Sequence, residues 1–152
     1  MRARRKGPAR VQVAVRVRGG RHAASVLRAA ARRWVREELS IALVSDREIR
    51  ALNRRWRRKD QTTDVLAFPL LEPQSLGDVV ISLDTARRQA REGGWPLATE
   101  LRRLLAHGVL HCRGYDHERA ADARRMAAAE RRLLGTKGMV GESLSQRDDS
   151  FP

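Results

Sequence analysis

The chain has 152 residues, of which 41% are hydrophobic and 33% are charged, and this length and composition fit one globular domain with a buried core. Its apolar runs are too short to span a membrane, and its basic N-terminus lacks the apolar stretch of a secretory signal. Its single cysteine, Cys112, excludes an internal disulfide. We therefore expect a cytoplasmic protein without a membrane partner. The formal net charge of +14 predicts a polyanionic partner such as nucleic acid.

Basic residues cluster in two segments of the chain. Residues 1–22 contain eight basic residues and no acidic one, and residues 54–59 contain five basic residues in six positions. Nearly all of them are arginines, so a coding bias toward arginine is an alternative explanation for the charge. The clustering favours phosphate contacts with a nucleic acid, and the aromatic content of 4% argues against a broad surface for base stacking.

The first half of the chain has the pattern of alternating strands and helices. In order, we predict a strand over residues 11–17, a helix over 22–38, a short buried strand over 39–45, and a helix over 47–56 that Asp46 can cap. The first helix should bury a stripe of Leu27, Ala31, Trp34 and Glu38, and the second should bury Ile49, Leu52 and Trp56.

The second half of the chain begins with two strands and continues with helices. The two predicted strands cover residues 62–70 and 76–84; Pro69 ends the first, and Pro73 lies in the loop between them. The three predicted helices cover residues 85–94, 97–112 and about 118–134, and Thr99 is a possible cap of the second. The two strands could pair as a hairpin. The helix over 97–112 should bury Leu101, Leu104, Leu105 and Gly108, which puts His107 and His111 at the rim between core and solvent.

This order of elements predicts an α+β fold. We expect a single domain over residues 10–135, with one mixed sheet of about four strands and about five helices packed on it. Residues 1–9 form a basic segment that we expect to be flexible, and residues 136–152, which are poor in hydrophobic residues, are expected to be disordered.

Three of the four histidines lie within eleven residues, in the segment HGVLHCRGYDH over residues 107–117. His107 and His111 are four apart and therefore share one face of the predicted helix. Gly114 can end that helix in a left-handed conformation and turn the chain back, so that His117 reaches the same point. Three imidazoles in this arrangement predict an open metal site with a position left for water.

The identity of the metal follows only in part from its ligands. Neutral imidazole suits zinc, so we expect one zinc ion per chain, although copper, iron and nickel also accept such ligands. Asp116 is adjacent to a proposed ligand, and it is more suited to orienting a histidine than to binding the ion itself. A coincidence, or a histidine–carboxylate network without metal, is the alternative interpretation of the cluster.

The histidine spacing also occurs in the zinc proteases with the pattern H-E-x-x-H-x-x-G-x-x-H. Their general base is the glutamate after the first histidine, and here that position is Gly108. Without this carboxylate, peptidase activity by the known route is disfavoured, whereas a metal could still polarise a phosphoryl oxygen.

Three sequence blocks together resemble the YbeY family of bacterial metal-dependent endoribonucleases, which take part in rRNA maturation. Residues 107–117 match its pattern H-G-x-L-H-x-x-G-[YF]-D-H, residues 52–69 (LNRRWRRKDQTTDVLAFP) resemble its second block, and GDVVIS over residues 77–82 resembles its third. The resemblance covers roughly residues 10–135. Ala67 and Cys112 depart from the usual residues, and neither is a proposed ligand.

The resemblance implies a function and a set of site residues. His107, His111 and His117 would be the zinc ligands, and Arg57 would be the functional arginine that binds the scissile phosphate. The chain would then be a zinc-dependent endoribonuclease of single-stranded RNA, acting on rRNA precursors with the ribosome or ribosomal proteins as partners and without a nucleotide cofactor. A ribosome-associated assembly factor with structural zinc, and a zinc hydrolase of another substrate, are the alternatives. Whether water or the RNA 2′-hydroxyl is the nucleophile stays open.

Overall fold

The structure is a computed structural model that describes residues 10–135. The elements in chain order are β1 (Val11–Val15), α1 (Arg21–Trp34), β2 (Glu38–Val44), α2 (Asp46–Arg57), β3 (Val65–Glu72), β4 (Ser75–Ser82), α3 (Leu83–Gly93), α4 (Leu97–Cys112) and α5 (Ala120–Leu134). The flexible segment 1–9 and the disordered tail 136–152 expected from the sequence lie outside the described residues.

The four strands form one mixed sheet in the order β1-β2-β4-β3. The neighbours β1 and β2, and β2 and β4, are parallel, whereas β3 and β4 are antiparallel and form the hairpin that their spacing allowed. Only Pro73 and Gln74 separate the two hairpin strands. The predicted α+β domain, with one mixed four-stranded sheet and five helices, is therefore confirmed.

The main hydrophobic core lies on one face of the sheet, under α1, α3 and α4. The strands contribute alternate residues such as Ile41 and Val79, and the helices contribute residues such as Leu27 and Leu104, all of which are buried. Helix α4 contacts α1, α3, α5, β3 and β4, so it is the central helix of the fold. Residues on α4 are consequently placed by packing from several sides, which is a good support for a functional site.

Among residues 10–135, α2 is the helix that covers the other face of the sheet. Ile49 and Leu52 of this helix pack with Leu66 of β3 and Val80 of β4 in a small second cluster. Within the part of the chain that the structure describes, no helix lies over the strand residues toward β1, and Gln12 and Ser40 are exposed there.

Asp46 joins the beginning of α2 to the beginning of α3. Its Oδ1 accepts hydrogen bonds from the hydroxyls of Ser82 and Thr85, both at 2.6 Å, and its Oδ2 accepts one from Arg88 at 2.8 Å. Burial by itself raises the pKa of the Asp46 carboxyl, but these three hydrogen bonds and the charge of Arg88 outweigh it and lower the pKa below its usual value. The ionised carboxylate therefore stabilises this junction.

Two predicted helix boundaries were wrong. Helix α1 ends at Trp34 because Val35 is already extended, with φ −123° and ψ 133°, and Glu38 belongs to β2 instead of the helix. The cap of α2 is Ser45, whose hydroxyl accepts a hydrogen bond from the backbone N–H of Glu48, while Asp46 is the first helical residue. Both Ser and Asp suit this position, so the sequence alone does not choose between them.

Two further predictions about α2 and β3 were wrong. Trp56 is 60% exposed and is therefore not a core residue. The buried face of α2 consists of Ile49 and Asn53, so Trp56 lies on another side of the helix. Strand β3 does not end at Pro69 but continues to Glu72. Proline is tolerated there because β3 is an edge strand, where a missing N–H need not break a ladder.

None of the helices within residues 10–135 has the length and apolar character needed to cross a membrane.

Candidate metal centre

Helix α4 carries two of the three clustered histidines. It begins directly after Pro96, and Thr99, the cap expected from the sequence, instead lies within the first turn, where its N–H donates to the Pro96 carbonyl at 3.0 Å. Leu101, Leu104 and Leu105 are fully buried, as predicted. The helix is therefore fixed mainly by its apolar face and not by a side-chain cap.

Gly108 lets α4 lie very close to the sheet. A Cβ atom at this position would come within 2.7 Å of Val79 Cγ1 on β4, which is too close for any side chain. Position 108 therefore faces the sheet and has no room for the glutamate of the zinc proteases. The packing gives a physical reason for the glycine that the sequence comparison with those enzymes left unexplained.

The chain reverses after α4 through a glycine turn. Gly114 has φ +94°, its N–H donates to the His111 carbonyl, and the N–H of Tyr115 donates to the Leu110 carbonyl, both at 3.0 Å. These two bonds, with Tyr115 packed near Leu110, form the Schellman motif that ends many helices. The turn brings His117 back toward α4, as the sequence predicted.

The three histidines lie together at the end of α4. The Nε2 atoms of His107 and His111 are 3.1 Å apart, and the ring of His117 has its centroid 5.9 Å from that of His107 and 5.4 Å from that of His111. One nitrogen from each residue lies within 4.8 Å of the other two. His107 is 2% exposed and the other two are half-buried, so the cluster runs from the core to the surface.

This arrangement fits a metal ion. Two nitrogens that bind one tetrahedral zinc at 2.0–2.1 Å are about 3.3 Å apart, close to the 3.1 Å between the Nε2 atoms of His107 and His111. The cluster supplies three imidazole nitrogen donors, which suit several divalent metals. Its geometry can therefore hold a metal ion without selecting one element.

A buried carboxylate on α5 fixes the orientation of His107. Glu130 Oε1 lies 3.4 Å from His107 Nδ1, and both residues are buried. Opposite an ionised carboxylate, the ring would carry its hydrogen on Nδ1 and direct the Nε2 lone pair at the cluster.

The sequence interpretation missed Glu130 and gave the orienting role to Asp116. Asp116 Oδ1 instead accepts a hydrogen bond from the backbone N–H of Glu118 at 3.3 Å, within the turn. A signal for Glu130 was present in the sequence, because it lies four residues after the buried Met126 on the apolar face of α5. An acidic residue on such a face usually has a buried partner.

Cys112 lies beside His111 in sequence but is directed at the sheet. Its Sγ would be 3.0 Å from a Cβ atom on Gly77 of β4. Burial, and then the negative charge of Asp78, raise the pKa of the thiol to about 12. Cys112 is therefore a packing residue that remains protonated near neutral pH.

Arg57 is on a different element from the histidines. It is the last residue of α2 and is half-buried, and Arg58 ends the helix with φ +57°. The fully buried Asn53 holds the following loop, since its Nδ2 donates to the Gln61 carbonyl at 2.9 Å. The structure thus brings the three histidines together and gives Arg57 a fixed backbone, while the catalytic role of Arg57 stays a prediction.

The fold and the cluster define an α+β domain with a three-histidine site able to hold a metal ion. The model of the family described as Endoribonuclease YbeY matches residues 18–138 of the chain. The chain is 60% identical over 114 residues to Endoribonuclease YbeY of Myxococcus xanthus, and 46% identical over 115 residues to that of Geobacter metallireducens, covering 70% and 68% of this chain. The chain belongs to the endoribonuclease YbeY family, which confirms the resemblance carried by its three sequence blocks.

The relatives differ from this chain in length. The match covers 39% of the Myxococcus xanthus protein, 58% of the Endoribonuclease YbeY of Anaeromyxobacter dehalogenans, and 77% of the Geobacter metallireducens protein. The chain thus spans about half the length of the first two. The solution structure of TM1509 from Thermotoga maritima has the same fold, with a TM-score of 0.54 and 23% identity over 87% of this chain and 99% of that one.

Proposed function

We propose that this chain is a metal-dependent endoribonuclease that cleaves single-stranded RNA. The observation that carries the proposal is the convergence of three imidazole nitrogens within 4.8 Å in a chain of the YbeY family, whose relatives are named endoribonucleases. The net charge of +14 supports an RNA substrate because it favours association with a polyanion. We further propose that the RNA is an rRNA precursor met at the ribosome in the cytoplasm, as the family resemblance implies.

His107, His111 and His117 are the proposed ligands of one zinc ion per chain. When bound, zinc would polarise a phosphoryl oxygen and help to generate the nucleophile. Glu130 would hold the His107 ring so that Nε2 stays available to the metal. Because His107 is buried, the packing around it would also keep its ring in place. With three protein ligands, the site keeps a position for water or substrate, which favours a catalytic over a closed structural role.

Arg57 is the proposed phosphate-binding residue of the reaction. A guanidinium is always protonated and can hold two phosphate oxygens with its planar fork. The helix end that carries Arg57 is fixed by Asn53 and by the left-handed Arg58, so the side chain starts from a defined point. A peptidase function is not favoured, because position 108 has no room for a general base.

Single-turnover cleavage of end-labelled single-stranded RNA tests the proposal. Wild-type protein should cut the single strand and not the matched duplex. Arg57→Lys keeps the charge but loses the fork, so its rate should fall on the order of 10²- to 10³-fold while RNA binding persists. Arg58→Lys, at the exposed neighbouring position, is the matched control and should cost little. Equal losses in both variants would remove the special role of Arg57, and no cleavage by wild type would refute the function.

A further inference from the structure

The open face of the sheet forms a groove beside α2. The groove has a volume of about 520 Å³, within the roughly 300–1,000 Å³ of small-ligand sites. One wall is the face of α2 formed by Glu48, Leu52 and Trp56, which recur every four residues and therefore lie in one row. The floor is formed by alternate residues of the strands, Gln12, Ala14, Ser40, Ala42, Asp78 and Val80.

Trp56 is the unusual residue of this groove. It is 60% exposed, although a large aromatic ring normally contributes its area to a core or an interface. Its ring borders the groove, and the guanidinium of Arg55 lies over the ring, 5.1 Å from its centroid. A nucleobase that stacks on the indole can then have its phosphate bound by the same arginine.

The charges around Trp56 favour a polyanion over a peptide of mixed charge. Residues 46–60 contain seven basic and three acidic residues. Each of the three acids takes part in an ion pair: Asp46 with Arg88, Glu48 with Arg16, and Asp60 with Arg50. Arg54, Arg55 and Arg58 are exposed on the same end of the helix as Trp56. This rim can therefore bind phosphates beside a stacked base.

The groove also offers hydrogen-bond acceptors to a base. Asp78 is exposed on the floor of the groove, and a carboxylate accepts hydrogen bonds from the amino groups at base edges. Gln12 and Ser40 provide further polar groups on the same floor. One ring with a few polar groups suits a single unpaired nucleotide, and it does not require the broad stacking surface that the low aromatic content argues against.

The groove lies across the sheet from the histidine cluster. Asp78 faces the groove, whereas the adjacent Gly77 faces the last turn of α4, where Cys112 contacts it next to His111. In the sheet order, β3 is the edge strand next to β4. An RNA strand held in the groove would reach the histidines by passing around this edge strand, on the side where Arg57 follows Trp56 in α2.

We propose that the groove between α2 and the open sheet face is a second RNA subsite, in which an unpaired base stacks on Trp56 and the flanking phosphates bind Arg55 and its exposed arginine neighbours. This inference rests on the proposed endoribonuclease function and adds a substrate contact on the opposite face of the sheet from the histidines. It makes Trp56 a residue for substrate affinity and not for the chemical step.

Binding of a labelled, non-cleavable 2′-O-methyl single-stranded RNA, followed by fluorescence anisotropy, tests the subsite. Trp56→Leu should weaken binding on the order of 10-fold, the effect of losing one base–aromatic stack, and Trp56→Phe should restore most of it. The slope of log Kd against log salt should not change in Trp56→Leu, because no phosphate contact is lost. Leu71→Ala is the matched control, since Leu71 is 99% exposed and lies outside the groove.

The same variants separate this inference from the proposed function. In cleavage assays, Trp56→Leu should raise KM and leave kcat unchanged, because base stacking stabilises the bound RNA and the transition state by the same amount. If wild type cleaves RNA but Trp56→Leu binds as tightly as wild type, or Trp56→Phe is as weak as Trp56→Leu, the groove has another occupant and the subsite is wrong. If wild type neither binds nor cleaves single-stranded RNA, the proposed function fails first.

Photo-crosslinking of the wild-type protein provides a second measurement that does not depend on the folding of a variant. A single-stranded RNA carrying 4-thiouridine should crosslink to peptides that contain Trp56 or the strand residues of the groove, as mapped by mass spectrometry. Crosslinks confined to the histidine side of the sheet would overturn the subsite.

Discussion

His107 has two partners that act on opposite sides of one ring. Its Nδ1 lies 3.4 Å from Glu130 and its Nε2 lies 3.1 Å from Nε2 of His111. A carboxylate at this position favours a hydrogen on Nδ1 and a free lone pair on Nε2, and metal-binding histidines in proteins commonly have such a partner. The geometry of the histidine cluster therefore depends on Glu130 as well as on the histidines themselves.

Removing the charge of Glu130 should weaken metal binding. For Glu130→Gln we expect a loss of zinc affinity on the order of 10- to 100-fold, because the imidazole is then less firmly oriented and less basic. Competition with a chromophoric chelator measures this affinity on the purified protein. Glu118→Gln, an exposed change in the preceding turn, is the control and should bind zinc as wild type does. Unchanged affinity in Glu130→Gln would show that Glu130 has no role in orienting the ligand.

At the scale of elements, the position of the site depends on how closely α4 approaches β4. Gly108 permits this approach, and the Schellman turn at Gly114 then sets the return of His117. The helix is also enclosed by α1, α3 and α5, so it cannot move away from the sheet without loss of packing elsewhere. The histidine geometry is thus a consequence of helix–sheet packing and not of local sequence alone.

This packing gives a prediction for Gly108. Alanine is the better helix former by about 1 kcal/mol, so Gly108→Ala would be stabilising on an open helix. Here its Cβ would meet Val79 Cγ1 at 2.7 Å, and we expect a net loss of about 1–3 kcal/mol in the free energy of unfolding.

Urea denaturation of Gly108→Ala, Val79→Ala and the double variant tests this contact in a double-mutant cycle. Val79→Ala removes the two methyl groups that a Cβ at position 108 would meet, so the double variant should be more stable than the two single losses predict. Simple additivity of the two losses would mean that the contact with Val79 does not limit the residue at position 108.

At the scale of the whole molecule, much of the site was predictable because its signals are local. The four-residue spacing of His107 and His111 and the glycine at position 114 determine a helix face and a turn, and both follow from backbone geometry. Glu130 was missed because its contact depends on how α5 packs against α4, thirteen residues after His117. The periodicity of α5 predicts that Glu130 faces inward, but it does not predict that Glu130 contacts His107.

Trp56 shows where helix periodicity gives a wrong answer. The spacing of Ile49, Leu52 and Trp56 fits an apolar stripe, yet only Ile49 is fully buried. Whether such a stripe is covered depends on how far the sheet extends under the helix, and the strand order β1-β2-β4-β3 cannot be read from α2. The order also explains why Pro69 did not end β3, since an edge strand tolerates proline.

Metal content and RNA cleavage, measured together on His111→Ala and His22→Ala, decide whether the histidine cluster holds a metal that cleavage requires. His22, the fourth histidine, is exposed at the start of α1 and is the matched control. We expect about one zinc per chain and full cleavage of single-stranded RNA in wild type and His22→Ala, and loss of both in His111→Ala. Chelation of wild type should abolish cleavage, and added zinc should restore it. Full zinc occupancy in His111→Ala, or cleavage that survives complete removal of metal, would contradict the account.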